Sequence, residues 1–271
     1  MSRKFRKKDS DRIDSKKRSE GARGVKSPVG FPRGRHVVGV HSVREVIKVR
    51  PRSIHSIWIK KGENLNEELS MIVDLAEREG ISLNTCSESQ LGTVCSSHQN
   101  VLAVVTEKPK IDWDSLDGSK KKELIILLDS IEDPHNLGAI LRTAWLMGAS
   151  GILIPQNRSV SLTPTAMKVA CGGAEHVAVE EQTNLLTSIE KLKKMGFWVY
   201  GLAGETKQSI WDTDFSEKVA LVVGAEDKGI RPLIRKNCDQ IVSIPQLADG
   251  ASYNASVAAA IAMSEIVRQR I

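Results

Sequence analysis

Apolar and polar positions along this chain change period several times. Residues 41–49 and 65–78 carry apolar side chains at helical spacing, most clearly Leu65, Leu69, Ile72, Val73 and Ala76, and predict two helices. Residues 54–59 (I-H-S-I-W-I), 81–85 and 101–106 predict strands around them. From residue 123 the pattern changes in kind. Residues 124–128 are continuously apolar, as in a strand covered on both faces of a parallel sheet. A helix over about 137–147 follows, then a strand at 152–154 and a short helix opened by Pro164 in its first turn. A helix over 185–194, strands at 197–202, 220–223 and 241–244, and a long small-residue helix from Asn254 to Arg270 complete the chain. Strands alternating with helices predict α/β architecture with a parallel sheet. No internal repeat is apparent.

Punctuation divides the chain into four segments. Residues 1–35, ending in Pro28, Gly30, Pro32 and Gly34, read as a disordered basic arm. Residues 36–106 read as a small α/β domain. Residues 107–122, polar and holding Pro109 and Gly118, read as a linker, and residues 123–271 as a second α/β domain. Charge sharpens this division. The formal net charge of +6 splits into +9 on residues 1–35 and −3 on the remainder. A basic arm of this kind binds polyanions by releasing counterions, or is simply a solvated terminus. Its acidic residues Asp9, Asp11, Asp14 and Glu20 argue against a transit peptide, and the N-terminus has no apolar core of a secretory signal. No apolar run approaches the roughly 18 residues of a membrane span. The cysteines, Cys86, Cys95, Cys171 and Cys238, have no metal or redox spacing and suit a reducing compartment, so a cytoplasmic protein without a metal site is expected.

In open α/β sheets, ligands bind beyond the C-terminal ends of strands. Three loops lie there. The first (D-S-I-E-D-P-H-N-L-G-A-I-L-R, 129–142) places Asn136 as a helix N-cap and Arg142 inside the helix near a buried face, where an arginine needs an anionic partner. His135 is a possible base or a loop residue. The second (L-V-V-G-A-E-D-K-G, 221–229) has the glycine spacing of a P-loop but continues Ile230-Arg231, so it binds no nucleotide in the Walker manner. The third runs from Ile244 and Pro245 to Ser252, Tyr253 and Asn254, with Ser252 or Asn254 capping the last helix.

Taken in order, D-P-H-N-L-G-A-I-L-R-T-A (133–144), L-V-V-G-A-E-D-K-G (221–229) and S-I-P with S-Y-N-A-S-V-A-A-A-I-A resemble the three motifs of the SpoU-type (TrmH-like) RNA 2′-O-ribose methyltransferases of the SPOUT superfamily. K-V-A-C-G-G-A-E (168–175), A-G-E (203–205), and pieces around His41 and His98 are similar too. The resemblance covers about residues 36–271 and is nearest to the 23S rRNA guanosine methyltransferases. It implies a C-terminal parallel-sheet domain with a deep trefoil knot, a small ribosomal-protein-like N-terminal domain that holds RNA, and a homodimer. S-adenosyl-L-methionine would lie against Gly224, Ala225, Ile244, Pro245 and Tyr253. Arg142 would be the catalytic arginine, Glu226 its orienting group or a proton acceptor, and Asn136, Ser252 and Asn254 would position ribose or loops. Tyr253 stands where the family's third motif usually has Leu, and residues 246–251 are less glycine-rich than usual, which leaves target choice more open than reaction type. A ribose 2′-hydroxyl in rRNA is the expected substrate. A tRNA ribose, a non-catalytic RNA-binding assembly factor, and a chaperone acting through the arm are the alternatives.

Overall fold

The computed structural model describes residues 30–62, 66–118, 121–248 and 250–271. Residues 1–29, most of the expected basic arm, lie outside the described residues. The described chain builds two sheets. The first has four strands: β1 (Arg35–Val38), β2 (Ile54–Lys60), β3 (Leu83–Cys86) and β4 (Val101–Val105), in the order β1-β4-β2-β3. Only the β2–β3 pair is parallel; β4 runs antiparallel to both of its neighbours. Helices α1 (Val40–Val49), α2 (Glu67–Arg78) and α3 (Glu88–Gly92) complete this unit. Asn66 caps α2 by accepting from the Leu69 N–H at 2.9 Å, which satisfies a first-turn donor, and Leu69, Ile72 and Ala76 bury one face.

A short helix, α4 (Trp113–Gly118), follows, and then the second sheet: β5 (Glu123–Asp129), β6 (Gly151–Pro155), β7 (Ala178–Gln182), β8 (Trp198–Leu202), β9 (Lys218–Gly224) and β10 (Gln240–Val242). Its order is β10-β8-β9-β5-β6-β7, and every pairing is parallel. The central strands β5 and β9 are buried on both faces, as their unbroken Leu, Ile and Val runs require. Six helices belong to it: α5 (Pro134–Leu146), α6 (Pro164–Val169), α7 (Gly173–His176), α8 (Leu185–Lys194), α9 (Pro232–Lys236) and α10 (Ala255–Arg268). Gly138 lets α5 touch α6, because a Cβ there would stand 2.6 Å from both the Ala166 carbonyl oxygen and the Val169 Cβ.

The two units share one hydrophobic core that runs from Val37, Val43 and Ile57 to Ile126, Leu137 and Ala170. Their seam is polar at its centre. Glu175 on α7 accepts a two-pronged bond from Arg35 on β1, at 2.6 and 2.8 Å, and a second charged bond from Arg50. Arg50 also donates to the Glu175 carbonyl at 2.8 Å, and Ser42 on α1 donates to the Met167 carbonyl at 3.2 Å. Nearby, His176 stacks on Trp145 at 4.2 Å and meets Glu45 of α1 at 3.1 Å. Burial works to raise the Glu45 carboxyl, but bonds from Lys48 and His176 outweigh it and hold Glu45 below the usual carboxylate range.

Several expectations change. Phe31 is buried against Trp58 and β1 begins at Arg35, so packed chain starts inside the segment read as an arm; the apolar Phe31 and Val37 outweigh the surrounding Pro and Gly. The segment read as linker holds α4, with Ile111 and Leu116 buried, because these apolar residues cover one face of the second sheet beside Leu127 and Leu153. Helix α5 starts three residues earlier than its apolar stripe: Asp133 is the N-cap, accepting from the His135 N–H at 2.9 Å, and Pro134 takes the first turn. Asn136 therefore lies inside the helix. β10 stops at Val242, since Ser243 is already drawn aside by bonds to Gln208 and Ile210.

Candidate active site

Because β5 and β9 are parallel neighbours, their C-terminal ends meet, with Asp129 beside Gly224. The chain beyond Gly224 folds back on itself at once. Gly229 donates to the Ala225 carbonyl at 2.8 Å and Ala225 to the Gly229 carbonyl at 3.2 Å, closing residues 225–229 into a tight loop. Nothing but hydrogen fits at position 224: a Cβ would stand 2.2 Å from the Gly229 carbonyl carbon and 2.3 Å from the Ile230 nitrogen. Beyond β10, residues 243–253 run to α10, braced by a bond from the Gln246 amide to the Ala251 carbonyl at 3.0 Å. Asn254, not Ser252, caps α10, accepting from the Ser256 N–H at 2.9 Å. Its amide also donates to Glu226 at 3.4 Å, tying the second loop to the third.

These loops enclose two adjoining clefts. One, of about 390 Å³, is lined by Gly224, Ala225, Glu226, Ile244, Ser252 and Tyr253, together with Glu205 and Arg235. The other, of about 360 Å³, lies across the 225–229 loop and takes Asn136, Arg158 and Arg231 into its wall. Both fall in the size range of small-ligand pockets, roughly 300–1,000 Å³. Among the sequence-derived site residues, Gly224, Ala225, Glu226, Ile244, Ser252 and Tyr253 share the first cleft, with Asn254 bonded to its edge. Asn136 lines the second. Pro245 is exposed and lines neither.

Arg142 corrects an expectation. It is exposed rather than near-buried, and it lines neither cleft of its own chain. Its partner is the Cys171 sulfur, 3.4 Å from Nη1. The apolar residues around it in sequence, Ile140, Leu141 and Ala144, are buried while Arg142 points away from them into solvent. His135 is likewise exposed and lines neither cleft. Sequence reasoning passed over Asp129, Arg158 and Arg231; Glu205 sat in a motif already noted but was given no role.

Comparison with known proteins decides the family. A family described as the SpoU rRNA Methylase family matches residues 123–264, and one described as RNA 2′-O ribose methyltransferase substrate binding matches residues 36–110. The chain belongs to the SpoU rRNA methylase family. As a SpoU methylase it is 36% identical over 241 residues to the 23S rRNA (guanosine-2′-O-)-methyltransferase RlmB of Pseudomonas putida, covering 86% of this chain and 96% of that one. To the RlmB of Acinetobacter baylyi it is 40% identical over 240 residues, covering 86% and 96%. In fold it is similar to the SpoU methyltransferase AviRb of Streptomyces viridochromogenes, at a TM-score of 0.74 and 21% identity, covering 87% of this chain and 89% of that one. A structure of AviRb with the cofactor AdoMet superposes at a TM-score of 0.73.

The Gly224 geometry carries a direct consequence for this SpoU methylase. Gly224→Ala forces a methyl group into backbone, so the 225–229 loop must open. We expect a loss of about 1–3 kcal/mol in stability, the usual cost of overpacking, with ligand affinity in the larger cleft falling at least tenfold. Thermal unfolding and calorimetric titration with S-adenosyl-L-methionine measure both; unchanged titration would remove the loop from the binding site.

Proposed function

We propose that this SpoU methylase transfers a methyl group to the ribose 2′-hydroxyl of a guanosine in 23S-type rRNA, using S-adenosyl-L-methionine. The observation that carries this reading is the cleft between residues 224–229 and 251–253, at the C-terminal edge of a parallel sheet, in a chain that matches RlmB proteins along most of its length.

The cleft fits the cofactor. Gly224 brings backbone rather than side chain to its wall, Ile244 and Tyr253 offer apolar surface for a flat base, and Glu205 and Glu226 offer acceptors. Gly224, Ala225, Ile244 and Tyr253 would hold it, with Pro245 fixing the chain beside Ile244. When bound, S-adenosyl-L-methionine supplies a methyl group activated by its sulfonium charge. The protein's own task is alignment and proton removal at a poor nucleophile. Arg142, protonated, binds the RNA phosphate and stabilises the developing alkoxide. Glu226 orients that arginine or accepts the hydroxyl proton. Asn254, already bonded to Glu226, holds it in place, and Asn136 and Ser252 position the ribose. No metal enters this scheme.

The position of Arg142 outside its own clefts favours a homodimer in which α5 of one chain faces the clefts of the other. Leu146 on α5 and Val257 on α10 are exposed apolar residues suited to that contact. In this reading the C-terminal domain is threaded as a trefoil knot, residues 36–106 hold RNA, the basic arm is a second grip on it, and the enzyme works in the cytoplasm.

The test is transfer of labelled methyl from S-adenosyl-L-methionine to purified 23S rRNA and to tRNA, with the site mapped by ribose-methylation sequencing and the reaction repeated in chelator. Label at a single 23S guanosine is expected, in chelator as well. Label in tRNA alone overturns the target, and cofactor binding without label in either RNA overturns the enzyme reading in favour of an assembly factor.

A further inference from the structure

Asp129 is the last residue of β5 and is fully buried (0% exposed). A carboxylate in such a place is costly unless it is paired. Arg231 pairs it sideways: its backbone N–H donates to Oδ2 at 2.8 Å and its Nε–H to Oδ1 at 2.6 Å. This arrangement uses the inner edge of the guanidinium. The two terminal amino groups have no partner among the described residues. The Arg231 side chain is 40% exposed and lines the 360 Å³ cleft, not the larger one.

We propose that Arg231 is a phosphodiester-binding residue, that the 360 Å³ cleft it lines receives the RNA, and that Asp129 is its positioning residue. The inference rests on the RNA-methylating function above and assigns part of the substrate's footprint.

Three observations support it. First, a free arginine samples many rotamers, whereas Arg231 is held at Nε and at its own backbone, so its outer fork is pre-set for an oxyanion pair. Second, the cleft rim carries stored backbone strain: Ser130 and Arg158, neither of them glycine, sit at φ +69° and +59°. Strain of this kind persists where the surroundings over-determine a functional shape. Third, the folded body is acidic in sum, so general attraction for a polyanion is weak, and affinity must be local. Besides Arg231, the cleft wall bears the cations Arg158 and Lys228 and the acids Glu132, Asp133, Glu226 and Asp227. Asp133 is engaged as the α5 cap and Glu226 faces Asn254, and of the cations on this mixed wall Arg231 is held in place by a buried carboxylate.

Removing Arg231 alone would orphan a buried carboxylate, so the test uses paired replacement. Asp129→Asn with Arg231→Gln removes both charges together. Its KM for 23S rRNA is expected to rise at least tenfold. The slope of log affinity against log salt should become shallower by about 1, the loss of one phosphate contact. Asp129→Asn alone keeps the cation but loosens it, so KM should rise several-fold with the salt slope unchanged. S-adenosyl-L-methionine affinity should match wild type in both, which reports an intact fold. A double variant with wild-type KM and salt slope overturns the proposal while leaving the function standing. Equal losses in cofactor and RNA affinity overturn it too, by making the pair a loop brace. Wild-type protein that neither binds nor methylates RNA overturns the function, and this assignment with it.

Discussion

Glu175→Ala is expected to destabilise the protein by about 3–5 kcal/mol, the range for removing one partner of a buried ion pair. At this chain length that corresponds to a fall in melting temperature of roughly 2–4 °C per kcal/mol. The reason lies in what is left behind. The Glu175 side chain is 1% exposed and receives charged bonds from two arginines, Arg35 and Arg50, whose side chains are themselves only 15% and 19% exposed. Without the carboxylate, two guanidinium groups are left together at the seam, and the Nε atoms of both are already buried without a partner among the described residues. Because Arg35 and Arg50 belong to the four-stranded unit and Glu175 to the six-stranded one, the loss falls on their union. Limited proteolysis after residue 106 should therefore speed up alongside the drop in melting temperature. A melting temperature within about 2 °C of wild type, the equivalent of 1 kcal/mol or less, would show that apolar contacts alone hold the seam.

Arg142→Ala is expected to lower kcat by at least about 10²–10³-fold, the scale for deleting one electrostatic stabiliser of a developing oxyanion. Stability should stay within about 0.5 kcal/mol of wild type, since the side chain is exposed and among the described residues bonds only to a thiol. Cofactor affinity should change far less than kcat, because the residues proposed to hold the cofactor are Gly224, Ala225, Ile244 and Tyr253 rather than Arg142. This combination separates catalysis from folding and from cofactor binding. A variant that keeps more than a tenth of wild-type kcat would move the catalytic role to another residue, with Glu226 the next to examine.

The parallel sheet was legible because its strands are buried on both faces. Runs such as I-I-L-L and A-L-V-V have no polar alternation to mislead, and the long helices show their stripes. What stayed hidden is short or depends on distant partners. α4 and α9 have too few residues for a period to emerge, and β7 (A-V-E-E-Q) is an edge strand with a half-polar sequence. The cap of α5 is Asp133, ahead of Pro134, and it was hidden because the apolar stripe starts late and points to Asn136 instead. The residues around the larger cleft were legible only through the resemblance of the three loops to the family's motifs, and six of them share it. Arg142 was read as near-buried because its apolar neighbours were counted without their direction around the helix. The Asp129–Arg231 pair could have been suspected from a lone acid ending an apolar strand, a charge that needs a partner.

The sheet order has a kinetic meaning. Its two central strands, β5 and β9, are laid side by side with Leu124 next to Val219, so the strand that opens the domain waits for one made much later in synthesis. β10 must then dock on β8 before the third loop can reach the second. Pairings between residues so far apart along a chain are slow, since loop closure has to come before any contact rewards it. The larger cleft takes its walls from the loops after β9 and β10, so it needs both late strands.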